Sequence, residues 1–243
     1  MQQLLPITVF FISLGCLFNA CSPENDGTKN ISDYYYPMDS LNEGLVYEYK
    51  AVNNDSMSAL YNYYRTVESM DETFLVGVQY DPFFQPSQLS REKVVSNGVK
   101  LVESFIYLND STGTSTQIPM DIIAGVTFPF EVRDSGGIFL YNVKWFDNPG
   151  DTTVYTSVIR NRRYEKDTTV NYKGEQLPAV LFSVRELVEN FNDGFWEKEF
   201  NSKELYAKGI GLVYFKKDIS PDFKLEYALY DRYPMEVLEA KLK

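Results

Sequence analysis

Along stretch after stretch of this chain, apolar residues recur at every second position, a rhythm suited to a strand with one buried face. In Leu45-Val46-Tyr47-Glu48-Tyr49-Lys50-Ala51 the odd positions are apolar, while Glu48 and Lys50 are charged. Tyr61, Tyr63 and Val67 repeat the alternation across Arg65, Phe74 to Tyr80 carry it on even positions, and Phe139, Tyr141, Val143 and Trp145 on odd ones. Turn residues fall between the runs. Asn97-Gly98 is a strong hairpin signal because both residues accept positive φ at low cost. Gly136-Gly137, Asn148-Pro149-Gly150, Lys173-Gly174 and Asp193-Gly194 punctuate the remainder. The pattern predicts a mostly β, antiparallel protein. Val184, Leu187, Val188 and Phe191 have helical spacing, so Ser183 to Asn192 could form one short helix. The turn at Asn192-Asp193-Gly194 favours instead a strand that folds back onto Phe195 to Phe200.

The chain begins differently. Leu4 to Leu17 is an uncharged apolar run, followed by Phe18-Asn19-Ala20-Cys21 and the abruptly polar Ser22-Pro23-Glu24-Asn25-Asp26-Gly27. The run has the length of a signal-peptide core and is too short for a comfortable membrane span. It resembles a bacterial lipoprotein signal, in which Cys21, after the small Ala20, becomes the lipidated first residue. Cys16 is a rival, but cleavage there would leave Leu17 and Phe18 as a greasy tail. The expected organisation is a signal peptide over 1–20, a polar tether over 21–33 and one β-rich domain over 34–243.

Charge and residue type narrow the chemistry. All 23 Lys and Arg and all 34 Asp and Glu follow Cys21, so the formal charge of −11 belongs to the mature part. Such a surface repels a phosphate backbone, and no nucleic-acid partner is expected. The only two cysteines lie in the signal region, which leaves no internal disulfide for the body. With no histidine in the chain, His-based nucleophile activation and histidine metal sites are excluded. No cofactor and no metal site is expected.

Two segments resemble lipoproteins of Bacteroidota. Asp33-Tyr34-Tyr35-Tyr36-Pro37-Met38 followed by Gly44-Leu45-Val46-Tyr47-Glu48-Tyr49 is similar to their "YYPL…G..W.Y" opening. Leu205-Tyr206-Ala207-Lys208-Gly209-Ile210-Gly211-Leu212-Val213 is similar to their "WYAKGVGLVK" closing motif, with Tyr214 where Lys is usual. The two bracket nearly the whole mature chain. The resemblance implies a strongly curved antiparallel sheet, like an open half-barrel, in a largely uncharacterised group. Gly209 and Gly211, two apart on one strand, are expected to permit close packing or a sharp bend.

Several residues are candidates for a site. Asp-Ser/Thr triplets resemble the O-glycosylation site of exported Bacteroidota proteins and mark Ser40, Ser56, Ser111, Thr152 and Thr168; such pairs also favour turns by themselves. Glu197 and Glu199 would share one strand face as an acid/base or Ca²⁺ pair, with solvated charge the ordinary explanation. Asp147 and Asp151 flank a Pro-Gly turn. Arg160, Arg162 and Arg163 form the one basic cluster, for which cross-strand pairing is the ordinary explanation. Phe83 and Phe84, in a loop with Pro82 and Pro86, could form a lip or fold back beneath it.

Aromatics make up 16% of the chain, with 19 Tyr and 17 Phe. They suit either a curved core or a binding groove. The expected role is a non-enzymatic, lipid-anchored envelope protein that binds an apolar ligand or a protein partner. Its membrane contact is the N-terminal lipid. Alternatives are a glycan-binding or carbohydrate-active lipoprotein and a purely structural component. Outer-membrane placement is expected because Ser22 stands where an inner-membrane retention signal would carry Asp.

Overall fold

The computed structural model describes residues 27–241, apart from 53, 110–112, 134–135 and 148–149. The chain enters as β1 (Thr28–Asn30) and two short 3-10 turns (Ser32–Tyr34, Met38–Leu41), then runs through β2 (Leu45–Ala51), β3 (Leu60–Ser69), β4 (Glu72–Tyr80), β5 (Pro86–Val95) and β6 (Gly98–Asn109). Next come β7 (Ser115–Pro119), β8 (Asp121–Pro129), β9 (Glu131–Arg133), β10 (Phe139–Phe146) and β11 (Tyr155–Tyr172). The remainder is β12 (Glu175–Phe191), β13 (Phe195–Ala207), β14 (Gly211–Ser220), β15 (Phe223–Tyr233) and one helix, α1 (Met235–Lys241).

The sheet is not open. Among the described residues, twelve strands, β2 to β6, β8 and β10 to β15, follow one another around a ring that closes where β15 pairs with β2, while β7 hangs on the outer part of β6. The expected half-barrel is therefore a closed up-and-down barrel. Closure removes the two bare edges an open sheet would present. Bulges at Asn142/Val143, Tyr164/Lys166, Asp218/Ser220 and Leu229/Asp231 supply the local bends that curling requires.

Ser183 to Asn192 belongs to no helix. It lies in β12, whose register runs from Ala179↔Ala207 to Phe191↔Phe195, so the hairpin expected at Asn192-Asp193-Gly194 is present. The short helix sits instead at the C-terminus. It covers the outside of the barrel, where Leu238 packs with Val46, Tyr233, Tyr61 and Tyr63. Glu48, beneath it, accepts hydrogen bonds from Tyr233 Oη at 2.7 Å and Lys241 Nζ at 2.8 Å.

One rim of the barrel is closed by the chain's own beginning. β1 pairs with β9, Ile31 N–H donates to Phe130 O at 2.8 Å, and Gly209 N–H donates to Asp33 O at 2.9 Å. The tether expected to reach Asp33 is thus structured from Thr28. Its one apolar residue, Ile31, is fully buried, and only a partner distant in sequence supplies that burial. Tyr35 and Tyr36 follow it into the barrel, edge to face at 5.2 Å. Tyr36 meets Tyr64 at 4.4 Å and Tyr47 at 5.5 Å, and Tyr35 meets Phe128 at 5.4 Å. Tyr47 and Tyr49 hydroxyls donate to Ile210 O and Leu212 O, both at 2.9 Å, so these buried phenols are satisfied.

Gly209 and Gly211 flank this contact but do not share a strand. Gly209 lies in the turn between β13 and β14, and Gly211 begins β14. Both have positive φ, +71° and +99°. The turn brings the opening and closing motifs together, since Lys208 also pairs with Asp33 at 3.0 Å.

Candidate functional site: the barrel lumen

Inside the barrel, next to the plug, is a cavity of about 480 Å³. Its walls come from nearly every strand. Tyr35, Tyr36 and Tyr64 lie toward the plug, while Gln79, Gln88, Ile106, Met120 and Trp145 extend toward the opposite rim. Between them runs a belt of charge.

The belt follows from strand parity. On β11 the inward set is Val158, Arg160 and Arg162, and on β12 it includes Glu186, two residues from Val184 and from Val188. Glu204 of β13 stands opposite both Phe182 of β12 and Phe215 of β14, and Lys217 follows Phe215 on the same face. Each is thus a charged residue in phase with apolar neighbours. Arg163 has the opposite parity and is exposed on the outer wall. The basic cluster of the sequence is split by the sheet.

The charges are linked through Arg160. Its guanidinium bonds to Glu204 Oε1, and its Nε lies 3.1 Å from Glu186 Oε2. Arg162 Nε lies 2.9 Å from Glu204 Oε2, and its Nη1 donates to Thr127 O. Lys217 pairs with the other oxygen of Glu186, and Tyr206 Oη donates to Glu204 at 3.1 Å. Arg160 Nε and Arg162 Nε are close enough for ion pairing, but neither is aligned as a hydrogen-bond donor to its carboxylate. Coulomb attraction tolerates that misalignment, so these contacts act as ion pairs.

Two lumen carboxyls respond oppositely to burial. Burial alone would raise the pKa of Glu204, but Arg162 and Arg160 outweigh it and hold the group down at about 2. Glu92 forms no ion pair among the described residues, although Arg162 is near enough to pull its pKa down. It accepts from Tyr35 Oη at 2.8 Å and Thr127 Oγ1 at 2.7 Å, and desolvation raises its pKa despite these bonds. Tyr141, opposite Arg160 across β10 and β11, is pushed up to about 12 by burial, against the pull of Arg160.

The residues singled out in the sequence do not converge here, apart from Arg160 and Arg162. Cys21 and Ser111 lie outside the described residues. Ser40 is exposed in the second 3-10 turn, and Thr152 is exposed in a turn. Ser56, also in a turn, donates its hydroxyl to Asn54 Oδ1 at 2.7 Å. Thr168 is not in a turn; it is half-buried in β11, opposite Ala179. Glu197 and Glu199 are exposed on β13, and Glu199 pairs with Arg185 at 2.6 Å, so they are solvated charge. Asp151 Oδ1 accepts from Thr153 N–H at 2.9 Å as a turn residue. No group of three or more potential metal ligands occurs among the described residues. Phe84 folds back against Tyr61 at 5.1 Å, whereas Phe83 is 82% exposed. Sequence reasoning missed Glu92, Glu186, Glu204 and Lys217. Their signal was a charge falling on the inward beat of an alternating strand.

A second concavity, about 330 Å³, lies on the outer wall beside Ile138, Arg163 and Lys203. It is smaller, and the neighbouring Arg185 is already engaged by Glu199. The lumen holds the buried charges and is the better candidate. Arg163, Arg185, Glu199 and Lys203, all exposed mid-strand, also make this outer wall unlike the apolar band that spanning barrels turn to lipid. Among the described residues no helix is long and apolar enough to cross a membrane.

The sequence matches no protein-family model and no curated protein. Among solved structures it is similar to a "putative lipoprotein" from Parabacteroides distasonis ATCC 8503, at 11% identity and a TM-score of 0.49, over 82% of this chain and 98% of that one. A likeness of that degree says nothing about what this chain binds.

Proposed function

We propose that this protein is a lipid-anchored outer-membrane protein that holds a small molecule in its barrel lumen and does no chemistry on it. The single observation that carries the binding half is the cavity of about 480 Å³ with a charged belt between aromatic walls. Its volume falls in the usual range for small-molecule sites, and buried ion pairs are a weak source of stability compared with apolar packing. A belt kept in the barrel despite that cost is readily explained by recognition.

The anchor half rests on the apolar run and Cys21. Holding is favoured over hydrolysis because Glu186 and Glu204 are both engaged by Arg160, and Glu204 stays ionised to about pH 2. A glycosidase needs one protonated carboxyl and a second one free to act as base or nucleophile. Glu92, whose pKa burial raises, could fill the first place, but Glu186 and Glu204 are held in ion pairs and leave the second unfilled. The lining is mixed rather than purely apolar, which shifts the expected ligand toward an amphipathic molecule.

Native mass spectrometry tests the binding half. The chain from Ser22 onward contains the whole barrel and plug; it would be expressed in a Bacteroidota cell with an export signal and purified without detergent. A small adduct lost on mild dissociation is expected. A bare polypeptide mass from several preparations would overturn tight holding and favour a structural role. Hexose-sized increments that survive dissociation would report on Ser40, Ser56, Ser111, Thr152 and Thr168 instead. Metabolic acyl labelling of the full chain, lost in Cys21→Ala, tests the anchor.

A further inference from the structure

We propose that the lumen is built for a small organic anion, its acidic head held by Arg160, Lys217 and Tyr141 and its apolar body laid against Trp145 and Phe215. This rests on the lumen-binding reading above and adds the charge of the ligand to it.

The argument is one of accessible donors. The side chains of Arg160 and Lys217 are 26% and 29% exposed, whereas those of Glu186 and Glu204 are each 6% exposed. The carboxylates therefore lie behind the cations, and a molecule entering the cavity meets ammonium and guanidinium first. Those carboxylate oxygens are already engaged: Glu186 by Arg160 and Lys217, Glu204 by Arg160, Arg162 and Tyr206. They have little accepting capacity left to offer a donor on a ligand.

Donors, by contrast, remain. The hydroxyl of Tyr141 lines the cavity directly across the ladder from Arg160 and has no hydrogen-bond partner among the described residues. Arg160 Nε and Arg162 Nε are buried against Glu186 and Glu204 and out of a ligand's reach, so the donors on offer are the Tyr141 hydroxyl and the exposed parts of Arg160 and Lys217. A ligand rich in acceptors and carrying negative charge satisfies this set; a neutral apolar ligand leaves it unsatisfied at a desolvation cost. Glu92 is a third lumen carboxyl that offsets the cations only in part, because burial works against its charged form and its Oε2 already accepts from the Tyr35 and Thr127 hydroxyls. A carboxylate or sulfonate suits a guanidinium and an ammonium side by side.

The two tryptophans of the chain make the test direct. Trp145 lines the lumen, and Trp196 is 51% exposed on the rim away from the plug. In a Trp196→Phe background, Trp145 becomes the sole tryptophan reporter. Two probes share one aromatic body and differ in charge: 1-anilinonaphthalene-8-sulfonate, an anion, and N-phenyl-1-naphthylamine, which is neutral. Each is titrated against the chain from Ser22 onward, following loss of Trp145 emission by energy transfer to the bound probe.

The expected result is at least tenfold tighter binding of the sulfonate. That preference should fall several-fold in Lys217→Gln, with binding of the neutral probe unchanged. Lys217→Gln leaves Glu186 paired with Arg160, and a cooperative melt confirms its fold. Should it fail to fold, Tyr141→Phe removes only the hydroxyl and is expected to lower the same preference. Equal binding of the two probes, or a sulfonate preference untouched by the folded variants, overturns the anion proposal and leaves lumen binding standing. If neither probe affects Trp145, the lumen reading falls with it.

Discussion

The ring of Tyr36 occupies the place where a side chain on Gly211 would stand: a Cβ there would come within 2.6 Å of Tyr36 Cδ1. Gly211 also has φ +99°, which L side chains rarely adopt. Gly211→Ala should therefore cost about 2 to 4 kcal/mol, combining left-handed strain with overpacking. Thermal melts should show a loss of several degrees. Adding Tyr36→Ala should recover the steric part, so a double-mutant cycle that is simply additive would contradict the contact.

Glu204 and Glu92 should respond oppositely to acid. The folded pKa of Glu204, about 2, lies below an unfolded value of about 4.3. Its stabilisation is fully present above that unfolded value and is lost as pH falls toward about 2. Glu92 has a raised folded pKa, so its contribution is present at lower pH and is lost as pH rises through that raised value. Urea melts from pH 2 to 7 should show Glu204→Gln flattening the acid limb and costing about 3 to 5 kcal/mol at pH 7, because two buried cations lose a charged partner. Glu92→Gln should cost less than about 1 kcal/mol there and remove the opposite slope.

The hairpin between β3 and β4 turns on Met70 and Asp71, at φ +52° and +62°, with no glycine in the pair. Met70 is 95% exposed and packs against little. Replacing the pair by Asn-Gly should raise stability by about 1 kcal/mol, seen as a rise of roughly 2 to 4 °C in Tm. An unchanged Tm would mean that the turn is not strained in solution.

Alkaline titration should be cooperative. Burial raises the pKa of Tyr35, Tyr36 and Tyr49 well above the ordinary value. Each such phenol adds stability that is present below about pH 10 and is lost as pH rises above it. Absorbance at the tyrosinate band should show this buried set ionising in one late step, coincident with loss of circular dichroism. A smooth single titration would contradict their burial.

Strand identity and the turns were written locally, and closure was not. The alternation in Leu45–Ala51 placed Tyr47 and Tyr49 on one face, and both are fully buried there. A hairpin joins β5 to β6 where Asn97-Gly98 marked it, but its two-residue loop is Ser96-Asn97, Val95 pairs with Gly98, and of the two marked residues only Gly98 has positive φ. The pairing of β15 with β2 connects opposite ends of the chain, and nothing local distinguishes a curved sheet from a closed one. Alternation also names a face without saying which way it points. Phe74, Val76, Val78 and Tyr80 do share a face, yet Gly77 and Gln79 are the inward ones: a Cβ on Gly77 would meet Ser90 and Tyr64, and Gln79 lines the lumen. Phe74 is instead covered by Arg91, 3.8 Å above its ring. The charged belt was illegible for a related reason. Arg160, Arg162 and Arg163 are neighbours in sequence, and only the wall of the barrel divides them into two inside and one out.

The plug gives the barrel a direction. Six residues lie between Cys21 and Thr28, a reach of at most about 25 Å when fully stretched. Were Cys21 lipidated as proposed, the protein would stand near the membrane on its sealed end, and the Trp196 rim would look away into the aqueous space. A guest would then arrive from across the compartment, with no route up from the leaflet that carries the anchor. The barrel would act as a moored cup filled from above, in contrast to a scoop that lifts lipids out of its own membrane.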